Sequence, residues 1–453
     1  MSTSGKVAGV PADSPVRHSV DRIVASTRAR QGGALEHARA FLERALAVEP
    51  VIHAFNGIDP ARVVAQAQAI DASAVAGTES NDRTGPLSGV PVGVKDIIDA
   101  QGWTTGMGSP IHEHSMPARD ARLVARLKAA GAYVFGKTVT TEFAFMHPRE
   151  TRNPWNPAHT PGGSSSGSAA AVAAGCVPVA LATQTNGSVI RPAAFCGVVG
   201  FKPSLGAFSA EGVLSYAPTL DQPGCLSRSV ADVARVSSVL AEAGFRIPAA
   251  PAASVRPRLI AVRTPAWPLA DPAMQAEFER VCARFVAAGA RVESQDLPAA
   301  FGEAHEVHRL IMGFEASRYF VSVQAAHRGL LSDWLNRYLD QAAAIPGTAY
   351  REALGVRESL QHDFAGFIAG QDAVLTPPAR GEAPAGIETS GDPVFCSIWT
   401  LLGTPAITVP TGLGPTGLPL GLQIVGARGD DDRVLAVAAW CERLLGFAGL
   451  IEC

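Results

Sequence analysis

Residues 168–182, SAAAVAAGCVPVALA, form the most apolar window of the chain. A bilayer-spanning helix needs about 20 consecutive apolar residues. This window is shorter, and Gly175 and Pro178 break it, so it has to be buried inside a protein core. Its first half consists of good helix formers, with serines placed to cap the start and Gly175 placed to stop the end. Its second half, residues 177–183, reads as a short strand. A helix and a strand that are apolar on every side fit a layered α/β protein in which both are sandwiched.

The same alternation runs along the rest of the chain. Apolar positions at helical spacing predict helices over 34–48, 59–76, 119–132 and 431–447. Val90, Val92 and Val94 alternate with small residues and predict a buried strand ending at Lys95. Further strands are expected at 132–138, 372–378 and 404–410, and Pro192 suits the first position of a helix. The expected fold is α/β, a large mixed central β-sheet sandwiched by α-helices. A disordered tail over 1–15 is expected to precede one domain over 16–453. Within it the reading places a helical N-terminal part at 16–80, a core at 81–240, a more helical middle part at 241–370 and a return to sheet at 371–453.

Composition narrows the function. With 47% apolar residues the chain can bury a large core. Its 38 basic and 41 acidic side chains leave a net charge of −3, which is no footprint for nucleic acid or an anionic membrane. The N-terminal stretch has no apolar segment of the kind a secretion signal carries. Seven cysteines without close pairs argue against a zinc site or a disulfide framework and suit a reducing cytoplasm. The expected partners are therefore a small-molecule substrate, no nucleic acid and no membrane, in the cytoplasm, with a homodimer admitted.

Three motifs compete for the chemistry. Residues 131–138, GAYVFGKT, satisfy the phosphate-loop pattern with Lys137 in the key position. That loop needs a strand before it and open backbone amides. Here a helix precedes it, and Tyr133, Val134 and Phe135 form an apolar run, so the stretch reads as a structural strand. Residues 163–167, GSSSG, satisfy the nucleophile-elbow pattern with Ser165 in the centre. An elbow needs a preceding strand, and NPWNPAHTPG supplies prolines instead. His305, His308, His327 and His362 sit in helical contexts that mark none of them as its partner. HEH at 112–114 lacks a third ligand and reads as solvated rather than as a metal site. The third motif joins separate pieces: GVPVGVKDIID brings Lys95 to a strand end, TPGGSSSG brings serines to a glycine-rich loop, and TQTNGSVIRPAAFCGVVGFKP brings Ser188 to a tight turn.

Together these pieces resemble the amidase signature family of Ser-Ser-Lys amidohydrolases. The resemblance runs from about residue 50 to 240 and returns through GTPAITVPTG and GLPLGLQIVGARGDDDRVL. It implies that Ser188 is the nucleophile, Ser164 the bridging serine and Lys95 the base. It also implies that the amides of Thr185, Asn186, Gly187 and Ser188 form an oxyanion hole, and that no metal or cofactor is needed. Gly163, Gln184 and Arg191 are the expected substrate contacts. The chemistry is consistent: a hydroxyl both donates and accepts, so Ser164 can relay a proton. Lysine serves as a base only when neutral, and burial among Val90, Val92, Val94, Ile97 and Ile98 favours that form. Asp96 would oppose it, and strand alternation is expected to turn its side chain the other way.

Two departures from the commonest family pattern stand out. Asn186 replaces the first of two glycines before the nucleophile. Its tolerance of left-handed backbone would preserve the hole, as would the freedom of Gly187. Arginine falls three positions after Ser188 rather than two, in a form, SVIRP, that resembles malonamidase-like and biuret-hydrolase-like members. Arg191 either meets a polar or anionic end of the substrate or is a structural arginine tied to backbone carbonyls. Glu142 and Phe143 are candidate pocket residues, Trp399 and Thr400 a candidate far wall, and Cys176 and Cys196 core. The expected activity is hydrolysis of a small-molecule carboxamide through an acyl-enzyme. The alternatives are a glutaminase-like subunit of a tRNA-dependent amidotransferase or a biuret/ureide-type hydrolase. The SVIRP form and the lack of a basic surface weigh against the amidotransferase reading.

Overall fold

The computed structural model describes residues 7, 9–29, 33–76, 85–252 and 256–447. Its strands in chain order are β1 (Pro91–Lys95), β2 (Tyr133–Thr138), β3 (Val179–Gln184), β4 (Val199–Lys202) and β5 (Gln222–Ser227). They continue with β6 (Arg258–Arg263), β7 (Arg291–Asp296), β8 (Ala373–Thr376), β9 (Ala406–Leu413) and β10 (Pro419–Val425). All belong to one sheet in the order β2-β1-β3-β5-β4-β9-β10-β8-β6-β7. β1 lies parallel to both β2 and β3, while β5, β4, β9 and β10 run antiparallel to their neighbours, so the sheet is mixed as expected.

The apolar window behaves as its composition dictates. Helix Ser166–Ala173 is buried at every residue. Small side chains let it lie close to the strands: a Cβ on Gly167 would stand 2.2 Å from the Ala54 carbonyl oxygen and 2.3 Å from the Val139 nitrogen. Ser168 ties the helix down, sharing a 2.7 Å bond with Thr138 and donating to the Leu181 carbonyl. β1 and β3 pair at Val92↔Val179 and Val94↔Leu181, which brings their carboxyl ends side by side. Ligand sites of open α/β sheets gather at such ends.

Several expectations are corrected. Besides the helices expected of it, the middle part supplies β6 and β7, which close one edge of the sheet. The helix expected at 119–132 spans Arg122–Ala129, and Pro192 is the third residue of helix Ile190–Cys196. Part of the tail at 1–15 lies outside the described residues; of the rest, Pro11, Ala12 and Asp13 are exposed, while two valines are anchored. Val7 and Val10 are buried, and the Arg17 guanidinium donates to the Val10 carbonyl at 2.6 Å. No described helix is long and apolar enough to cross a membrane.

Candidate active site

Lys95 closes β1 and is fully buried. Its Nζ lies 2.8 Å from the hydroxyl of Ser164 and 2.8 Å from that of Thr183. Burial holds its pKa well below the ordinary lysine range, opposed only in part by the charge of Asp221. Asp96 points the other way, as strand alternation predicts. It accepts from Asn56 and from the Gly106 amide, and stands 3.2 Å from Lys137. The lysine of the apparent phosphate loop is thus half of a buried ion pair inside β2, and the phosphate-loop reading fails on geometry.

Burial alone does not single out Lys95. Lys202 is equally buried, and burial pushes its pKa down to about 7. Its partners, however, are the carbonyl oxygens of Pro203 and Thr404 and the Gln222 side chain. Carbonyls only accept and cannot pass a proton on, whereas the hydroxyls around Lys95 can.

Of the three serines in the glycine-rich loop, Ser165 is held structurally. It bonds both the carbonyl and the amide of Thr183, which removes it from the nucleophile role. Ser188 is different. Its side chain has no protein partner among the described residues, and it lines a cavity of about 50 Å³ with Asn186, Arg191, Tyr216 and Met312. A second cavity of about 100 Å³ adjoins it through Ala144, Thr185 and Tyr216.

The turn between β3 and the helix at 190 is held from one side. Gln184 uses Oε1 to cap the amides of Val189 and Ile190, and its Nε2 donates to Thr400. Its polar ends are consumed internally, so its place is under the turn rather than against substrate. The carbonyl of Thr185 accepts from His308, that of Asn186 from Thr400 Oγ1, and that of Gly187 from the Arg191 amide. A trans peptide plane points its C=O and N–H in opposite directions. Fixing these three carbonyls therefore aims the N–H groups of Asn186, Gly187 and Ser188 the other way. Among the described residues, none of the amides from Thr185 to Ser188 meets a protein acceptor. Such a nest of free donors suits an anion.

The reason glycine stands at 187 is space, not handedness. Neither Asn186 nor Gly187 has a positive φ. A Cβ at 187 would meet Pro393 Cβ at 3.0 Å and Cys396 Cβ at 3.1 Å. Asn186 is steadied at its Oδ1 by Ser397, at 2.6 Å. Gly187→Ala is expected to push the turn off helix Val394–Leu402 and lower kcat by about 10²-fold, the cost of a lost oxyanion donor. Unchanged kcat in a folded Gly187→Ala variant would rule this out.

Arg191 has a structural tie on one side and unpartnered donors on the other. Nη2 donates to the Gly163 carbonyl at 2.7 Å and to Ser390 at 3.2 Å, which ties the two serine-bearing segments together. Gly163 thereby spends its carbonyl on Arg191. Nε and Nη1 are buried without a partner, and the residue lines the cavity beside Ser188. Burial lowers its pKa only to about 10, so it stays charged at neutral pH.

Other candidates fall outside the site. Glu142 binds Ser332, and Phe143 packs on Phe320, while Ala144, Phe145 and Met146 of the same loop line the cavity. Trp399 is core, packed on Phe364, and Thr400 supports the turn. Cys176 and Cys196 are buried as expected. Thr183, Asp221, Ser390 and Ser397 were not singled out by the sequence, since no local pattern marks them.

Residues 36–435 match the family model described as amidase. A glutamyl-tRNA(Gln) amidotransferase subunit of Symbiobacterium thermophilum is 36% identical over 456 residues, covering 89% of this chain and 92% of that protein. The native peptide amidase of Stenotrophomonas maltophilia superposes with a TM-score of 0.79 at 28% identity, over 95% of this chain and 98% of that one. A structure described as revealing the evolutionary origins of an s-triazine catabolic enzyme gives 0.86 at 26% identity, over 96% and 100%. One expectation is overturned. A small molecule as the sole partner, with nucleic acid excluded, does not stand beside relatives named as subunits of an enzyme whose name includes a tRNA. The net charge of one chain says nothing about what partner subunits bind.

Proposed function

The chain belongs to the amidase family and acts on amide C–N bonds, and on that premise we propose that it works through an acyl-enzyme on Ser188, with Ser164 as proton bridge and Lys95 as base. The observation that carries this reading is a buried Lys95 bonded to the Ser164 hydroxyl at 2.8 Å and held toward its neutral form.

Ser188 Oγ attacks the carbonyl carbon while its proton moves to Ser164, and the Ser164 proton moves to Lys95 Nζ. The oxyanion forms against the free amides of the 185–188 turn, where preorganised donors are worth most. When the C–N bond breaks, the proton returns along the same path to the leaving nitrogen and ammonia departs. Water gives a proton to the same relay and attacks the ester; as the acyl–oxygen bond breaks, the relay returns that proton to Ser188 Oγ and the carboxylic acid leaves. The unpartnered donors of Arg191 take an oxygen-rich end of the substrate, bidentately where it is a carboxylate.

Within this chemistry the curated relatives favour a glutaminase-like subunit of a tRNA-dependent amidotransferase over a free-standing small-amide hydrolase. In that reading the cleaved group is a carboxamide such as that of glutamine, and the ammonia passes to partner subunits. A second reading, malonamidase-like or biuret-hydrolase-like, is favoured by the small cavity and by Arg191 in the SVIRP form. Ammonia release from L-glutamine, malonamate and biuret separates them, measured with the chain alone and with amidotransferase partner subunits and glutamyl-tRNA(Gln). The first reading expects glutamine turnover and amidated tRNA in the reconstituted mixture. Turnover of malonamate or biuret with glutamine untouched would replace it with the second.

A further inference from the structure

The carbonyl of Thr185 accepts from His308 Nε2 at 2.9 Å, and its hydroxyl donates to Asp221 Oδ1 at 2.5 Å. These partners come from far along the chain: Asp221 from the loop that leads into β5, and His308 from helix Ala304–Tyr319 in the middle part. Neither has a surface role to explain it. His308 is 2% exposed, and burial pushes its pKa down to about 4, so it is neutral. A carbonyl can only accept, so the ring carries its proton on Nε2. Asp221 also accepts from Ser215 and from the amides of Tyr216 and Ala217, four donors in all for one half-buried carboxyl.

We propose that His308 and Asp221 are the positioning residues of the oxyanion turn, holding Thr185 at its carbonyl and at its hydroxyl so that the next peptide N–H faces the reacting carbonyl. The inference rests on the reading of Ser188 as nucleophile. The plane shared by Thr185 and Asn186 has one carbonyl and one N–H. With the carbonyl pinned by His308, the Asn186 N–H cannot swing away. Asp221 fixes the side chain of the same residue and so prevents the plane from rotating about its neighbour. Asp221 also places its charge toward Lys95, where it favours the protonated form. The other titratable groups around it are Tyr216 on its own loop and, beyond Thr219, Glu315 of the His308 helix.

The test uses the rate at which a short-chain fluorophosphonate labels Ser188, which depends on nucleophile and oxyanion hole but not on the natural substrate. His308→Leu is expected to slow labelling by about 10²-fold. His308→Gln, whose amide can donate to the same carbonyl, should stay within about threefold of the native rate, the scale of one retained hydrogen bond. Asp221→Asn should slow labelling too. It should also move the rise of the pH–rate profile to lower pH, because loss of the carboxylate weakens the hold of Lys95 on its proton. A merely structural role would move neither the rescue by glutamine nor the pH profile. Native-rate labelling of His308→Leu, or a folded His308→Gln as slow as the leucine variant, would overturn the proposal. If the native chain were not labelled at Ser188, the proposed function would fall first and take this inference with it.

Discussion

Lys95→Met is expected to lower kcat/KM for any amide this chain cleaves by at least about 10⁴-fold, with the fold retained, as the loss of one member of a catalytic triad does. Methionine matches the length of lysine and suits an apolar, fully buried site. Among the described residues Lys95 makes no ion pair, so its removal strands no charge. It leaves the Ser164 and Thr183 hydroxyls facing a thioether. The native enzyme should also show a rate that rises with pH as Lys95 loses its proton. Because burial lowers that pKa, the rise should be complete below the ordinary lysine value of about 10.4. A profile still climbing above that value, or a methionine variant of near-native rate, would remove Lys95 from the base role.

The second large effect concerns the other lysine that the sequence made conspicuous. Lys137→Met is expected to cost about 3–5 kcal/mol of stability, because it leaves Asp96 buried without its counter-charge. Lys137 also donates to Thr104 O and Thr105 Oγ1, so the loop after Asp96 loses its anchor as well. Combining Lys137→Met with Asp96→Asn should recover part of the loss, since no unpaired charge then remains. Denaturant unfolding of Lys137→Met and of the double variant checks this, and a loss under about 1 kcal/mol in Lys137→Met would show that the pair is not a structural ion pair in solution. Nucleotide binding by the native chain, abolished in Lys137→Met, would revive the phosphate loop.

The contrast between these lysines explains what the sequence could show. Where a residue's place depends on neighbours close in the chain, it was readable: Lys95 at the end of an alternating strand, Ser164 in the loop before the buried helix, Ser188 in a turn before the next one. Alternation also turned Asp96 away from Lys95. Where a role depends on distant segments, nothing local marked it. Thr183 reads as one more strand residue, yet it is the second partner of Lys95. Helical context hid the bond from His308 to Thr185. β5 was hidden by its own composition, since Pro223 and Gly224 argue against a strand. Proline is tolerated because β4 pairs only with Cys225 to Ser227, so Pro223 has a single neighbouring strand, β3. The turn was read correctly in place but for the wrong reason. Backbone freedom was expected to matter, as left-handed tolerance at Asn186 and as glycine's freedom at Gly187, whereas neither φ is positive and the constraint is the close approach of Cys396 and Pro393. Steric fit against a helix two hundred residues away has no local signature.

The mechanism stands on Ser188, and neither Ser164 nor Ser165, carrying the acyl group. Peptide mapping by mass spectrometry after reaction of the native chain with a fluorophosphonate reads this out at once. One adduct is expected, on the peptide containing Ser188, absent from Ser188→Ala and much slower to form in Lys95→Met. An adduct on Ser164 or Ser165, or full amide turnover by Ser188→Ala, would contradict the mechanism.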